Sequence, residues 1–240
     1  MRKDIVCQDA LFLVNEENFV AACVADGHGS SSCPYSDEGA KIAVKLASEL
    51  FVKMLPNLSD HKDIWLPKQI ESEWKKEVLR RHVEAGRDMP NEDEPFPYIL
   101  YGTTLLALVA ADSFVFALQI GDGNILVTSG AGEARFVFPE PERQGEETES
   151  LCMADAWQFV HTQIIPWSAS GGPRMFLLCT DGYSNSFTSS AGFLKAGSDF
   201  FDIWKEEGLS MIEKELPEWL RQSSDKGSGD DIALAVVVYE

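Results

Sequence analysis

At 240 residues, 45% hydrophobic and 25% charged, the chain has the composition of a globular protein and the length for one sizeable domain or two small ones. A formal net charge of -19 argues against nucleic acid as a partner, because phosphate backbones are gripped by Lys and Arg. No apolar run approaches the ~20 residues of a membrane span and Met1–Ala10 lacks a signal-peptide core, so no membrane and a reducing cytoplasm are expected.

The first half begins with two β-rich runs, Ala10–Val14 and Asn18–Ala25, separated by a turn at Asn15-Glu16-Glu17. A Gly/Ser/Pro loop over Asp26–Pro34 follows. Ser36 or Asp37 then caps a helix to about Met54, with Ala43, Ala47, Leu50, Phe51 and Met54 at helical spacing. A second helix, around Lys68–Ala85, sets Ile70, Trp74 and Val78 four residues apart; Trp74 and His82 read as core or half-buried residues. Asp88–Pro97 is an acidic, proline-bounded loop.

Four short strands are expected next: Thr103–Ala110, Ser113–Gly121, Asn124–Thr128 and Ala134–Phe138, with a tight turn at Gly121–Asn124. Pro139–Ser150 shifts to Glu, Pro, Gln and Gly, as in a surface excursion. Arg174–Thr180 is a buried strand and Ile232–Tyr239 a closing one. Between them Asp199–Arg221 is helical, interrupted at Gly208 and Pro217, and divisible into two helices. Clustered strands favour an α+β layered domain over a doubly wound parallel sheet. No repeat or linker divides the chain, so residues 1–240 are taken as one domain. Of five cysteines, Cys23 and Cys179 lie in apolar runs as small buried hydrophobes, and none has zinc-ligand spacing.

Four aspartates stand where an apolar run meets a glycine or a second aspartate: Val24–Gly29 (VADGHG), Ile120–Asn124 (IGDGN), Leu178–Gly182 (LCTDG) and Gly227–Ile232 (GSGDDI). Singly, each is ordinary Asp-Gly turn chemistry. Brought together at strand ends, their carboxylates need positive charge, and oxygen-only ligands suit a pair of hard divalent cations.

In this order, and with Gly102-Thr103-Thr104 and the early Gln8-Asp9, these motifs resemble the metal-dependent Ser/Thr protein phosphatases of type 2C, above all the compact bacterial members. The resemblance spans Gln8 to Ile232. It implies a four-layer α-β-β-α sandwich with the metal centre at one end of the central β-sandwich, and two Mg²⁺ or Mn²⁺ ions with a weaker third site. Asp26 matches the bridging ligand, and the Gly27 carbonyl a ligand of one of the two ions. Asp181 and Asp230 match ligands of the other, and Asp231 a less regular position. Asp9 matches a residue holding metal-bound water, and Asp122 joins Asp181 at the third site. His28 matches the general acid for the leaving alcohol; outside such a motif it would be a turn histidine. Thr103 and Thr104 match the start of a core strand, and Ser30–Ser32 a turn. The implied activity is hydrolysis of phosphoserine and phosphothreonine in proteins through a metal-bridging water, with a cognate Ser/Thr kinase as a candidate partner.

Two features depart from the family. The strand before the early acidic pair, which carries a phosphate-binding Arg in many members, is shortened or missing: Asp4 stands in its place, near Arg2 and Lys3. This motivates an alternative, a catalytically weak or inactive domain that binds phosphoproteins or regulates, and it predicts an open sheet edge. Residues 139–166 occupy the place of the family's variable flap. There Trp157, Phe159 and His161, with Trp167 just beyond, either meet substrate or merely cover the sheet.

Overall fold

The computed structural model describes residues 6–55, 64–111, 114–130, 132–139, 148–166 and 174–239. Arg2, Lys3, Asp4 and Trp167 lie outside them.

Nine strands form two antiparallel sheets among the described residues. β1 (Ala10–Glu16), β2 (Phe19–Ala25), β3 (Leu105–Ala111), β4 (Phe114–Ile120) and β7 (His161–Pro166) make the first, in that order across the sheet. β6 (Glu133–Phe136), β5 (Asn124–Ser129), β8 (Arg174–Cys179) and β9 (Leu234–Tyr239) make the second. Alternation along the strands sends one set of side chains between the sheets. Ala22, Val24, Leu106, Leu108, Ile125, Phe176, Leu178 and Val237 form that inner core. The opposite set faces helices.

Helix α1 (Ser36–Met54) covers the outer face of the first sheet with Ala40, Ala43, Val44, Ala47 and Phe51, spaced along one helical stripe. Helix α2 (Trp65–Glu84) lies on α1 and seats Trp74, whose indole N–H donates to the Gly39 carbonyl at 3.0 Å. His82 is buried, bonded to the Tyr101 hydroxyl and the Asp88 carbonyl. The second sheet is covered by α4 (Ser190–Glu207) and α5 (Leu209–Ser223), through an aromatic layer of Phe193, Phe200, Phe201 and Trp219. A one-turn helix, α3 (Asp181–Ser184), follows β8 directly. The four-layer α-β-β-α arrangement expected from the resemblance is the observed one.

Several local expectations change. Ser36 is the first helical residue rather than a cap: it is fully buried, and its hydroxyl accepts from the Gln8 side chain at 2.9 Å. The C-terminal helical region starts at Ser190, nine residues earlier than its apolar spacing suggests, because the Ser189 hydroxyl caps it through Gly192 N–H. Its division falls at Gly208, which takes φ 84°, while Pro217 sits inside α5. The excursion expected over 139–166 ends in a sheet strand: β7 pairs with β4 from Phe114↔Pro166 to Gln119↔His161. Its alternation is weak because it is an edge strand with polar residues on both faces.

Among the described residues β1 is an edge strand of the first sheet. Leu11 and Leu13 pair with Val24 and Ala22 and so share the inter-sheet face, yet they are 41% and 53% exposed. β9, the edge of the second sheet, packs over β2 and leaves them uncovered.

Candidate metal centre

One end of the sandwich opens into a cavity of about 520 Å³. β2 ends at Ala25 and delivers Asp26; the β4–β5 turn delivers Asp122; β8 ends at Cys179 and delivers Asp181 as the first residue of α3. Oxygens of these three carboxylates lie within 4.8 Å of one another. They come from positions up to 155 residues apart, so only the packed sheets bring them together.

Each is held by neutral donors. The Asp26 N–H donates to Thr104 Oγ1 (3.0 Å), and its carbonyl accepts from Thr103 Oγ1 (2.8 Å) and the Thr104 N–H (2.9 Å). Thr148 Oγ1 donates to Asp122 (2.8 Å) and Asn185 Nδ2 to Asp181 (2.8 Å). Thr180 Oγ1 donates to Asp9 at 2.7 Å and accepts from the Ala233 N–H at 2.9 Å. Asp9 and Asp230 line the same cavity outside the tight trio. Asp230 is exposed and accepts from the Asp231 N–H; Asp231, also in the lining, accepts from the Gln8 N–H at 2.9 Å. Gly27 is wedged between the Gln8 backbone and the first residue of α1: a Cβ there would sit 2.7 Å from the Gln8 carbonyl oxygen and 2.8 Å from that of Ser36.

Burial raises the Asp26 carboxyl, and the charges of Asp9, Asp181 and Asp122 raise it further. Burial and Asp122 raise Asp181. Asp9 is pushed up to about 6 by burial and by the charges of Asp231 and Asp230, against the hydrogen bond from Thr180. Among the described residues, no lysine or arginine lines the cavity to offset this charge. The donor set is all oxygen and uncompensated, which fits Mg²⁺ or Mn²⁺.

The opposite wall differs. His28 is fixed by its N–H donating to the Gly102 carbonyl (3.0 Å). A Cβ built on Gly102 would stand 2.5 Å from His28 Cδ2 and 3.4 Å from Cys152 Sγ, so glycine is required for the ring to lie there. Burial lowers the His28 imidazole, partly offset by Asp122. Ser30, Cys33, Ile99, Cys152 and Met153 complete this side. Of the flap region, Thr148, Ser150, Cys152 and Met153 line the cavity, while Trp157, Phe159 and His161 do not. Trp157 is drawn to α2, its N–H bonded to Glu71 and its ring 4.2 Å from Lys68 Nζ.

The family model for protein phosphatase 2C matches residues 1–221. The chain belongs to the protein phosphatase 2C family. It is a metal-dependent protein phosphatase. No curated protein matches it in sequence. Among solved structures of the same fold, the S. agalactiae serine/threonine phosphatase is 16% identical with a TM-score of 0.63, covering 100% of this chain and 95% of that one. The Mycobacterium tuberculosis serine/threonine phosphatase PstP/Ppp is 13% identical with a TM-score of 0.58, covering 99% and 93%. The PstP catalytic domain in complex with two manganese ions is 15% identical with a TM-score of 0.53, covering 99% and 93%.

The phosphatase's threonine and asparagine supports were missed by sequence reasoning. Thr180 carried a signal, since it precedes Asp181 in the TDG motif. Thr148 and Asn185 carried none, because nothing in a one-dimensional pattern ties them to Asp122 and Asp181.

Proposed function

We propose that this phosphatase hydrolyses phosphoserine and phosphothreonine in proteins, with two Mg²⁺ or Mn²⁺ ions held by Asp26, the Gly27 carbonyl, Asp181 and Asp230. Asp122 joins Asp181 at a weaker third site, and Asp9 orients water from the floor of the cavity. The observation that supports this most is the meeting of Asp26, Asp122 and Asp181 within 4.8 Å, in a cavity whose described lining holds no lysine or arginine. Bound ions would supply Lewis acidity to a phosphoryl oxygen and make a water nucleophilic near neutral pH.

The chain's own residues do the rest. Thr103 and Thr104 fix the Asp26 backbone, so its carboxylate is set before metal arrives. His28 lines the same cavity and donates a proton to the serine or threonine oxygen as its bond to phosphorus breaks. An alkoxide is a poor leaving group, and an imidazolium is the side chain suited to protonate it near neutral pH. A Ser/Thr kinase is the matching source of substrate. The binding-only alternative gains no support from the site, since the acidic trio and His28 are both in place.

The test is turnover of p-nitrophenyl phosphate and a phosphothreonine peptide by purified protein with Mn²⁺, and its loss with a chelator. A well-folded sample that shows no metal-dependent turnover would refute the reading.

A further inference from the structure

The substrate's neighbouring residues leave their mark on the wall that carries His28. If His28 protonates the leaving oxygen, the peptide attached to that oxygen must pass on the His28 side. That side presents Ile99. The short 3₁₀ turn Tyr98–Tyr101 turns its other residues inward: Tyr101 is fully buried, and Tyr98 and Leu100 pack on the core under α1. Ile99 alone points outward, 52% exposed, and it lines the cavity.

Its position is rigid. The Gly102 N–H donates to the Ile99 carbonyl at 3.0 Å, and the carbonyl of Gly102 itself accepts from the His28 backbone N–H. The Leu100 carbonyl accepts from the Tyr35 N–H at 2.9 Å, pinning the turn to the start of α1. Met153, in the turn that follows Ser150, is a second apolar residue in the cavity lining, and its backbone carbonyl is anchored by Lys75 at 2.8 Å. An isoleucine left half in water on a fixed turn, beside the group that meets the leaving oxygen, is an apolar lip on the substrate path. Among the described residues the rest of the cavity lining is acidic or neutral, with no lysine or arginine to pair with an acidic residue of a substrate.

We propose that Ile99, with Met153, is a specificity-determining lip that selects phosphoproteins carrying an apolar residue next to the phosphorylated serine or threonine, and disfavours those carrying an acidic one. This rests on the phosphatase reading and on the side assigned to His28. Covering Ile99 removes apolar area from water, whereas a flanking carboxylate meets the site's uncompensated charge with no basic partner.

The experiment uses the full chain with Mn²⁺ and phosphothreonine peptides that differ at one flanking position, Leu, Ser or Glu, varied in turn on each side. The expected kcat/KM order is Leu, then Ser, then Glu, with about ten-fold between Leu and Ser on one side, the scale of discrimination a small apolar contact gives. The difference should lie in KM. Calorimetry with non-hydrolysable phosphonate versions of the same peptides should give the same order in Kd. In Ile99→Ser the ratio of Leu to Ser peptides should fall several-fold toward one, because Ile99 is the larger exposed part of the lip. Because Ile99 is half exposed, the variant's melting temperature checks that it folds. Turnover of p-nitrophenyl phosphate with equal rates on all three peptides would overturn the lip and leave the phosphatase reading standing. Persistence of the full Leu preference in Ile99→Ser would also overturn the lip. Absence of turnover on every substrate would instead overturn the reading beneath it.

Discussion

Asp26 and Asp230 carry the same functional group in opposite settings. Asp26 leaves the end of β2, inside the first sheet, with its backbone locked by Thr103 and Thr104. Asp230 stands exposed before β9, its carbonyl held by Ser224 and its carboxylate by the Asp231 N–H. The same contrast runs through the helices above them. α1 buries nine of its residues and shares with α2 a fully buried Trp74, whereas α5 buries only Ile212 and meets the second sheet through half-covered aromatics. One half fixes Asp26 at the end of an inner strand; the other carries Asp181 on a short helix and Asp230 on a loop.

Breaking the fixed half should cost most. Asp26→Asn is expected to lower kcat by about a thousand-fold or more, since a metal-assisted reaction loses several kcal/mol of transition-state stabilisation when a shared ligand goes. Asp181→Asn should do the same. Steady-state kinetics with Mn²⁺ checks both, and a near-normal rate in either would mean the ligand assignment is wrong.

Stability should divide along the same line. Trp74→Ala removes a fully buried indole and leaves the Gly39 carbonyl without its side-chain donor, an expected loss of about 3–5 kcal/mol. Trp219→Ala, on the half-covered aromatic layer, should cost roughly half of that or less. Urea unfolding of the two variants measures the contrast, and equal losses would erase it.

Acidity sharpens the comparison further. Asp9, Asp26 and Asp181 all have folded values raised above their unfolded ones in the metal-free protein. Their contribution to stability is therefore complete below the unfolded value of ~4 and is lost as pH rises through the folded values, which for Asp9 means toward about 6. Metal binding reverses the direction by favouring the charged forms. Mn²⁺ should thus raise the melting temperature more at pH 8 than at pH 5, and calorimetry in buffers of different ionisation enthalpy should show proton release. A metal effect independent of pH would contradict this.

The smallest effect belongs to the open edge. Leu13→Thr on β1 should change stability by no more than about 0.5 kcal/mol, because the side chain is already half in water. A loss of several kcal/mol on urea unfolding would show that the edge is covered in solution.

The strand ends and the order of the acidic turns were legible in the sequence, because apolar runs and Asp-Gly turns are local signals. Tightness was not. The motifs alone do not say which carboxylates lie within 4.8 Å of one another, and those of Asp26, Asp122 and Asp181 do. Motif order says nothing about the width of a sheet. β7 was hidden for a related reason: an edge strand half in water has no need of strict alternation.

By itself the sequence determined the layered α+β class, the strand-to-turn positions of the aspartates and the family, since periodicity and turn chemistry act over a few residues. Only the tertiary structure decided which carboxylates share a cavity, that Thr148, Thr180 and Asn185 hold them, and that Ile99 stands beside His28. Those are relations between segments tens to more than a hundred residues apart, fixed by sheet register and helix packing rather than by any local preference.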